Sequence, residues 1–171
     1  MEVSGVFLLS IARACVSLRV LAGREWDDIL SRTQPDRWYP SQDFHRAMDR
    51  VIGRFRDPDP VLERVGEEMM RAWYTLGPGN QLAPRGVDFL SFQASSRGYR
   101  SLVRGEEAEV GGFTLEELDE TGGRARVRST TPFPRPLERG VLRGGTLAAG
   151  DLDFVSVTNT ADPSVFEIRF R

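Results

Sequence analysis

His45 is the only histidine in this chain and Cys15 the only cysteine. A metal ion held by imidazole or thiolate needs several such ligands converging on one point, so a site of that kind is ruled out within the chain. A carboxylate site would have to use Glu67-Glu68, Glu106-Glu107 or Glu116-Glu117. Adjacent residues in a helix or strand point to different faces, and these pairs read as solvated surface. No metal and no cofactor is expected. His45 lies beside the apolar stripe of its helix rather than on it, which predicts a partly exposed imidazole. Cys15 sits in an apolar helical stretch and reads as a buried, inert thiol. Nucleophilic catalysis has little to work with: no Gly-x-Ser-x-Gly elbow is present, and any Ser–His pair would have to use His45. All 23 positive side chains are Arg and none is Lys, which removes Schiff-base chemistry and the phosphate-loop lysine. Gly77-Pro78-Gly79 and Gly111-Gly112 do not follow a strand and open a helix, so they are turns and not phosphate cradles. These residues point away from an enzyme.

The same composition narrows the partners. A net charge of −2 with no basic cluster argues against nucleic acid, whose groove demands concentrated positive charge. The Arg-only usage fits the codon bias of a GC-rich, bacterial genome. Val6–Cys15 is apolar enough to suggest a secretory signal, but Glu2 precedes it, no basic residue does, and Arg13 falls inside it. A signal peptide has the opposite layout; the expectation is a helix in a cytoplasmic protein. No run of about 18 apolar residues is present to span a membrane. With 171 residues, 40% of them apolar and 28% charged, one domain can bury about 70% of its unfolded surface, and a single domain over 1–171 is expected.

Periodicity divides the chain into a helical part, about 1–104, and a sheet part, about 105–171. Residues 3–22 read as a helix with Phe7, Ile11, Cys15, Leu18 and Leu21 on one face, followed by a short helix holding Trp26, Ile29 and Leu30. Trp38-Tyr39-Pro40-Ser41 reads as a turn, with Ser41 capping a helix over about 42–55. There Phe44, Met48, Val51 and Phe55 form one stripe. Asp57-Pro58-Asp59-Pro60 starts the next helix, with Asp59 as cap and Pro60 in the first turn; Val61, Val65, Met69 and Trp73 share a face until Gly77. A further helix is expected over 86–104, with Phe89, Phe92, Tyr99 and Leu102 apolar. After Gly105 the period becomes two. Strands at about 109–119, 123–131, 152–160 and 165–171 enclose one helix at about 136–149. Helices first and then ββαββ predict an α+β fold: a helical half followed by a four-stranded antiparallel sheet with one packed helix.

Two groups of residues stand out on those elements. Phe44, Met48, Met69, Trp73, Phe92 and Tyr99 are core candidates by spacing. They are also the candidate lining of an apolar ligand cavity between the helical half and the sheet, with Met suited to an adaptable wall. Gly140, Gly144 and Gly145 each cost their short helix about 1 kcal/mol of propensity. The return expected for that cost is a close approach of this helix to the sheet.

The order of elements, with Trp26 in a short helix, Tyr39-Pro40 ahead of a helix, Leu137-x-x-Gly140-Val141-Leu142-x-Gly144 in the last helix and the closing strand Phe166-Glu167-Ile168-Arg169-Phe170, resembles the haem–nitric-oxide-binding (H-NOX) fold. Its relatives are the 4-vinyl-reductase-type small-molecule-binding domains and the TRAPP transport-particle subunits. The likeness covers nearly the whole chain. The family's functional residues do not carry over. Haem-binding members place a proximal His on the helix before the sheet; the matching stretch here, 95–104, is Ser-Ser-Arg-Gly-Tyr-Arg-Ser-Leu-Val-Arg. Their Tyr-x-Ser-x-Arg propionate motif falls on Val127-Arg128-Ser129-Thr130-Thr131, where only Ser129 matches. Vinyl-reductase-type relatives carry a Cys after a Pro-aromatic-Pro turn; here Pro132-Phe133-Pro134 is followed by Arg135. The resemblance therefore implies a degenerate, haem-independent scaffold, and fold alone does not give function. The expectation is a non-enzymatic regulatory, sensory or signalling domain that binds an apolar small molecule between its halves. The alternative is a protein–protein interaction adaptor with a filled core that dimerises, possible partners including a second copy. A cavity of a few hundred cubic ångströms separates the two.

Overall fold

The structure is a computed structural model describing residues 1–20 and 29–171. The chain does not begin with a helix. Glu2–Ser4 form a strand, β1, paired on one side with β2 (Trp38–Pro40) and on the other with β3 (Val103–Arg104), Val3 lying opposite both Tyr39 and Val103. Two elements expected otherwise are thereby explained. Trp38-Tyr39-Pro40 is an edge strand rather than a turn. The expected helix over 86–104 stops at Ala94, because the Ser95 hydroxyl donates to the Phe92 carbonyl and accepts from the Arg97 amide. A 3₁₀ turn at Tyr99–Ser101 then delivers Val103 to β1.

Helix α1 (Gly5–Ser17) is capped by Ser4, whose Oγ accepts from the Phe7 amide at 3.3 Å. Phe7, Leu8, Ile11, Ala12 and Cys15 are buried along it. Gly5 is required there: a Cβ would collide with the Gln34 carbonyl. Leu21 and Trp26 lie outside the described residues; 29–32 are helical. Helix α2 (Ser41–Arg54) buries Phe44, Met48 and Val51 as the stripe requires. Its cap is Pro40, not Ser41, and α3 (Asp59–Leu76) is capped by Pro58, not Asp59; neither has a side-chain cap bond. Pro40 enters its helix from an extended backbone (ψ 134°), whereas Pro58 is already helical (φ −78°, ψ −18°); proline's fixed φ suits both. Helix α4 (Gly86–Ala94) follows.

The sheet part is α+β as expected, with four antiparallel strands in the order β4 (Phe113–Asp119), β5 (Arg124–Ser129), β7 (Val165–Phe170), β6 (Val155–Asn159). The predicted first strand begins late, because residues 107–110 form a helical turn closed by Gly111 at φ 61°. Ala125, Val127 and Ser129 face inward against Phe166 and Ile168. On the other face Glu116 accepts from Arg126 (3.1 Å) and Arg128 (2.5 Å).

Helix α5 (Arg135–Leu147) corrects one expectation. Gly140 and Gly144 do not face the sheet. They lie against α3, where a Cβ on Gly144 would meet the Glu67 Cα at 2.6 Å and one on Gly140 would strike the Glu63 carbonyl; Gly66 answers from α3 against the Leu137 carbonyl. The physical reason is shape. A sheet face presents side chains, whereas a second glycine-bearing helix presents bare backbone, into which a Cβ-free stripe fits. Arg139 donates to Glu63 (3.0 Å) and Asn159 (2.8 Å), and Arg143 to Glu67 and the Val155 carbonyl, tying this seam to β6.

Candidate functional site: an apolar cavity beside the helix seam

One turn beyond the glycine seam, α3 stops touching its neighbours closely. Met69, Met70 and Trp73 face a cavity of about 350 Å³, closed by α1, α4, the 95–102 segment, β4 and α5. Its wall is almost wholly apolar. Trp73 stacks on Phe92 (centroids 5.2 Å apart, planes at 24°) and meets Phe89 edge-on at 5.9 Å. At the other end Phe133 collects Phe7 at 5.2 Å and Tyr99 at 5.8 Å, and Tyr99 also meets Phe113 at 5.5 Å. Arg97, Ser101 and Val6 are exposed lining residues, so the cavity reaches solvent beside them.

Of the six residues expected to line a pocket, Met69, Trp73, Phe92 and Tyr99 do. Phe44 and Met48 do not; they are fully buried one layer behind, Phe44 packing on Phe7 (5.4 Å) and Phe133 (4.7 Å). Trp73 and Phe92 are half-buried rather than buried, unlike Met69, Phe89 and Tyr99 on the same wall. Sequence reasoning missed the contributions of α1, β4 and α5, and above all Glu138.

Glu138 is 3% exposed and lies on the cavity wall. Ser129 Oγ donates to its Oε1 at 2.6 Å, Thr131 Oγ1 donates to the same oxygen, and Arg135 donates to Oε2. Arg135 also reaches Ser129 Oγ at 2.8 Å. Burial raises the Glu138 carboxyl above its ordinary value, with these donors pulling the other way. Glu138 shares the buried stripe of α5 with Leu142, Gly145 and Thr146, which recur at helical spacing. Tyr99 donates its hydroxyl to the Val110 carbonyl at 2.7 Å, and burial, helped by the Glu138 charge, raises its phenol as well.

The two lone residues lie elsewhere. His45 is half-buried with its ring against Phe44 (5.4 Å) and Phe133 (6.5 Å), off the cavity wall. Cys15 is buried, its thiol pushed up to about 12 by desolvation. Among the described residues no three of His, Cys, Asp and Glu gather in a metal-sized cluster, and no helix is long and apolar enough to cross a membrane.

Solved structures place this arrangement. A Tt H-NOX point variant superposes with a TM-score of 0.68 over 98% of this chain and 95% of its own, at 11% identity. The chain has an H-NOX-like fold. A structure described under the molecular mechanism of H-NOX activation matches at 0.65 over 100% and 97%, with 12% identity. An oxygen-binding H-NOX domain related to soluble guanylate cyclases, in its oxygen complex, matches at 0.61 over 98% and 91%, with 11% identity. No family model matches the sequence, and no curated protein does.

Proposed function

We propose that the chain is a non-enzymatic sensory or regulatory domain that holds an apolar small molecule, not haem, in the cavity between its two parts. The observation that carries this is the cavity itself. Its volume of about 350 Å³ falls within the range of ligand pockets, about 300–1,000 Å³, and its wall joins aromatic and Met side chains to few polar groups. An adaptor with a filled core has no use for such a void, which ranks that reading second.

Three features support haem independence. The cavity wall carries no His or Cys. The wall phenol, Tyr99, is held by the Val110 carbonyl and kept protonated by burial. Arg135, which reaches Ser129 of the broken propionate motif at 2.8 Å, is already paired with the buried Glu138 carboxylate and is not free to receive another acid. We read these residues as not fitting haem. The hydroxyls on the cavity wall are spent on backbone carbonyls, Ser10 donating to Phe7, Tyr99 to Val110 and Ser101 to Gly98, and His45 is elsewhere.

The test has two arms. Haemin titration is expected to give no stoichiometric Soret band; a sharp band lost in His45→Ala overturns the haem-independent reading. In the other arm 1-decanol is titrated by calorimetry. Saturable binding to the wild type, weakened at least about tenfold when Val141→Phe fills the cavity from α5, is the expected result. Equal binding to both proteins, or none to either, removes the cavity reading.

A further inference from the structure

From the charges around this cavity we infer that its ligand is an amphipathic monocarboxylate, seated with its apolar body inward and its head group on Arg97. The inference rests on the cavity reading above and specifies the ligand class.

The wall contains two formal charges, Glu138 and Arg97. They differ in every respect that decides recognition. Glu138 is buried and its oxygens already accept from Ser129, Thr131 and Arg135, so it needs no ligand. Arg97 is exposed and, among the described residues, its guanidinium has no hydrogen-bond or ion-pair partner. Gln93, four residues earlier and on the same wall, has no side-chain hydrogen-bond partner among the described residues either. The cationic fork and the neutral amide therefore offer donors at the open side, and the guanidinium geometry suits a carboxylate held by two parallel hydrogen bonds.

Orientation follows from the interior. Apart from Glu138 and a few hydroxyls the rest of the wall is apolar, and a charge placed against it would lose its hydration with no compensation. The Glu138 side of the cavity repels a second anion. An acid therefore enters tail first, and a dicarboxylate has no second seat. A cationic amphiphile meets the opposite arrangement: Arg97 repels it at the mouth, and Glu138 is already paired with Arg135.

Decanoate and 1-decanol, both below micelle-forming concentration, test this by calorimetry on the wild type and Arg97→Gln. The wild type should bind decanoate about tenfold more tightly than decanol, the gain of a partly solvated charge-assisted hydrogen bond. Arg97→Gln should erase that ratio while leaving decanol affinity unchanged, which also reports that the variant is folded. Decylammonium should bind more weakly than decanol. If decanol binds but decanoate binds no better, or if Arg97→Gln leaves the preference intact, the carboxylate inference falls and the apolar-cavity reading survives. If neither compound binds, both fall together.

Discussion

Helix α3 packs in two opposite ways along its length. Around Gly66 it meets α5 backbone to backbone, with Gly140 and Gly144 leaving no room for a single methyl group. One turn further, at Met69, Met70 and Trp73, it stands back from its neighbours far enough to leave about 350 Å³ open. Interiors are close-packed by default, and a void of that size forfeits contacts along its whole lining. The tight seam compensates mechanically: two helices locked through bare backbone and the Arg139–Glu63 and Arg143–Glu67 bridges hold the far wall in place without side chains crossing the space. The cavity is open because the seam beside it cannot give.

That contrast breaks most directly at the seam. Gly140→Ala should destabilise the protein by about 3 kcal/mol, since overpacking costs about 1–3 kcal/mol and the new methyl meets the Glu63 carbonyl of the opposing backbone. Gly144→Ala, against the Glu67 Cα at 2.6 Å, should cost less. Helix propensity works the other way by about 1 kcal/mol, so a raised denaturant midpoint for either variant would mean that the helices separate freely and the seam is not rigid.

Glu138 joins the two regions, being on α5 and on the cavity wall. Desolvation raises its folded pKa above the ordinary glutamate value of 4.5. The native state therefore holds the proton where the unfolded chain has released it. This contribution is fully present below pH 4.5 and is lost as pH rises through the folded value. Glu138→Gln does not titrate, so the midpoint of the wild type relative to this variant should fall as pH is raised from 4.5. A rising difference would show that the hydrogen bonds from Ser129, Thr131 and Arg135 outweigh burial.

How much of this could be read beforehand depended on whether the signal was local. Stripe positions such as Met69 and Trp73 declared themselves through spacing, and four of the six expected lining residues reach the cavity. Spacing fixes the side of a helix but not the layer of the core, so Phe44 and Met48 were equally plausible; both are buried off the cavity wall, Phe44 behind Phe7 and Phe133. The ββαββ order was legible because strand alternation in Phe166–Phe170 and Ala125–Ser129 is local. The three-stranded pairing of Glu2–Ser4 was not: it joins residues about a hundred positions apart, and no three-residue strand has a period to detect. Glu138 was hidden by residue type, since a glutamate three residues after an arginine in a first helical turn is normally a surface pair.

Filling the open region should have the opposite sign to filling the seam. Val141 is half-buried on the cavity wall, one residue from Gly140. Val141→Phe should raise the denaturant midpoint by about 1 kcal/mol, the usual return from occupying a void. Destabilisation instead would mean that the space is too rigidly shaped to accept a ring, and would extend the seam's tightness into the cavity.

The smallest effect expected is the most specific. Arg97 is exposed and its guanidinium touches no partner among the described residues, so Arg97→Gln should leave the midpoint within about 0.5 kcal/mol of wild type, as surface substitutions do. Most arginines here do have such partners: Arg85, Arg128, Arg139 and Arg143 all bridge elements distant in sequence. Replacing one of those disturbs structure and binding together. At Arg97 the two separate. A stability loss well beyond 0.5 kcal/mol would show that the side chain holds the mouth of the cavity in shape. It would then belong to the scaffold, like the seam, and the distinction between a region that holds and a region that receives would have to be drawn further inside.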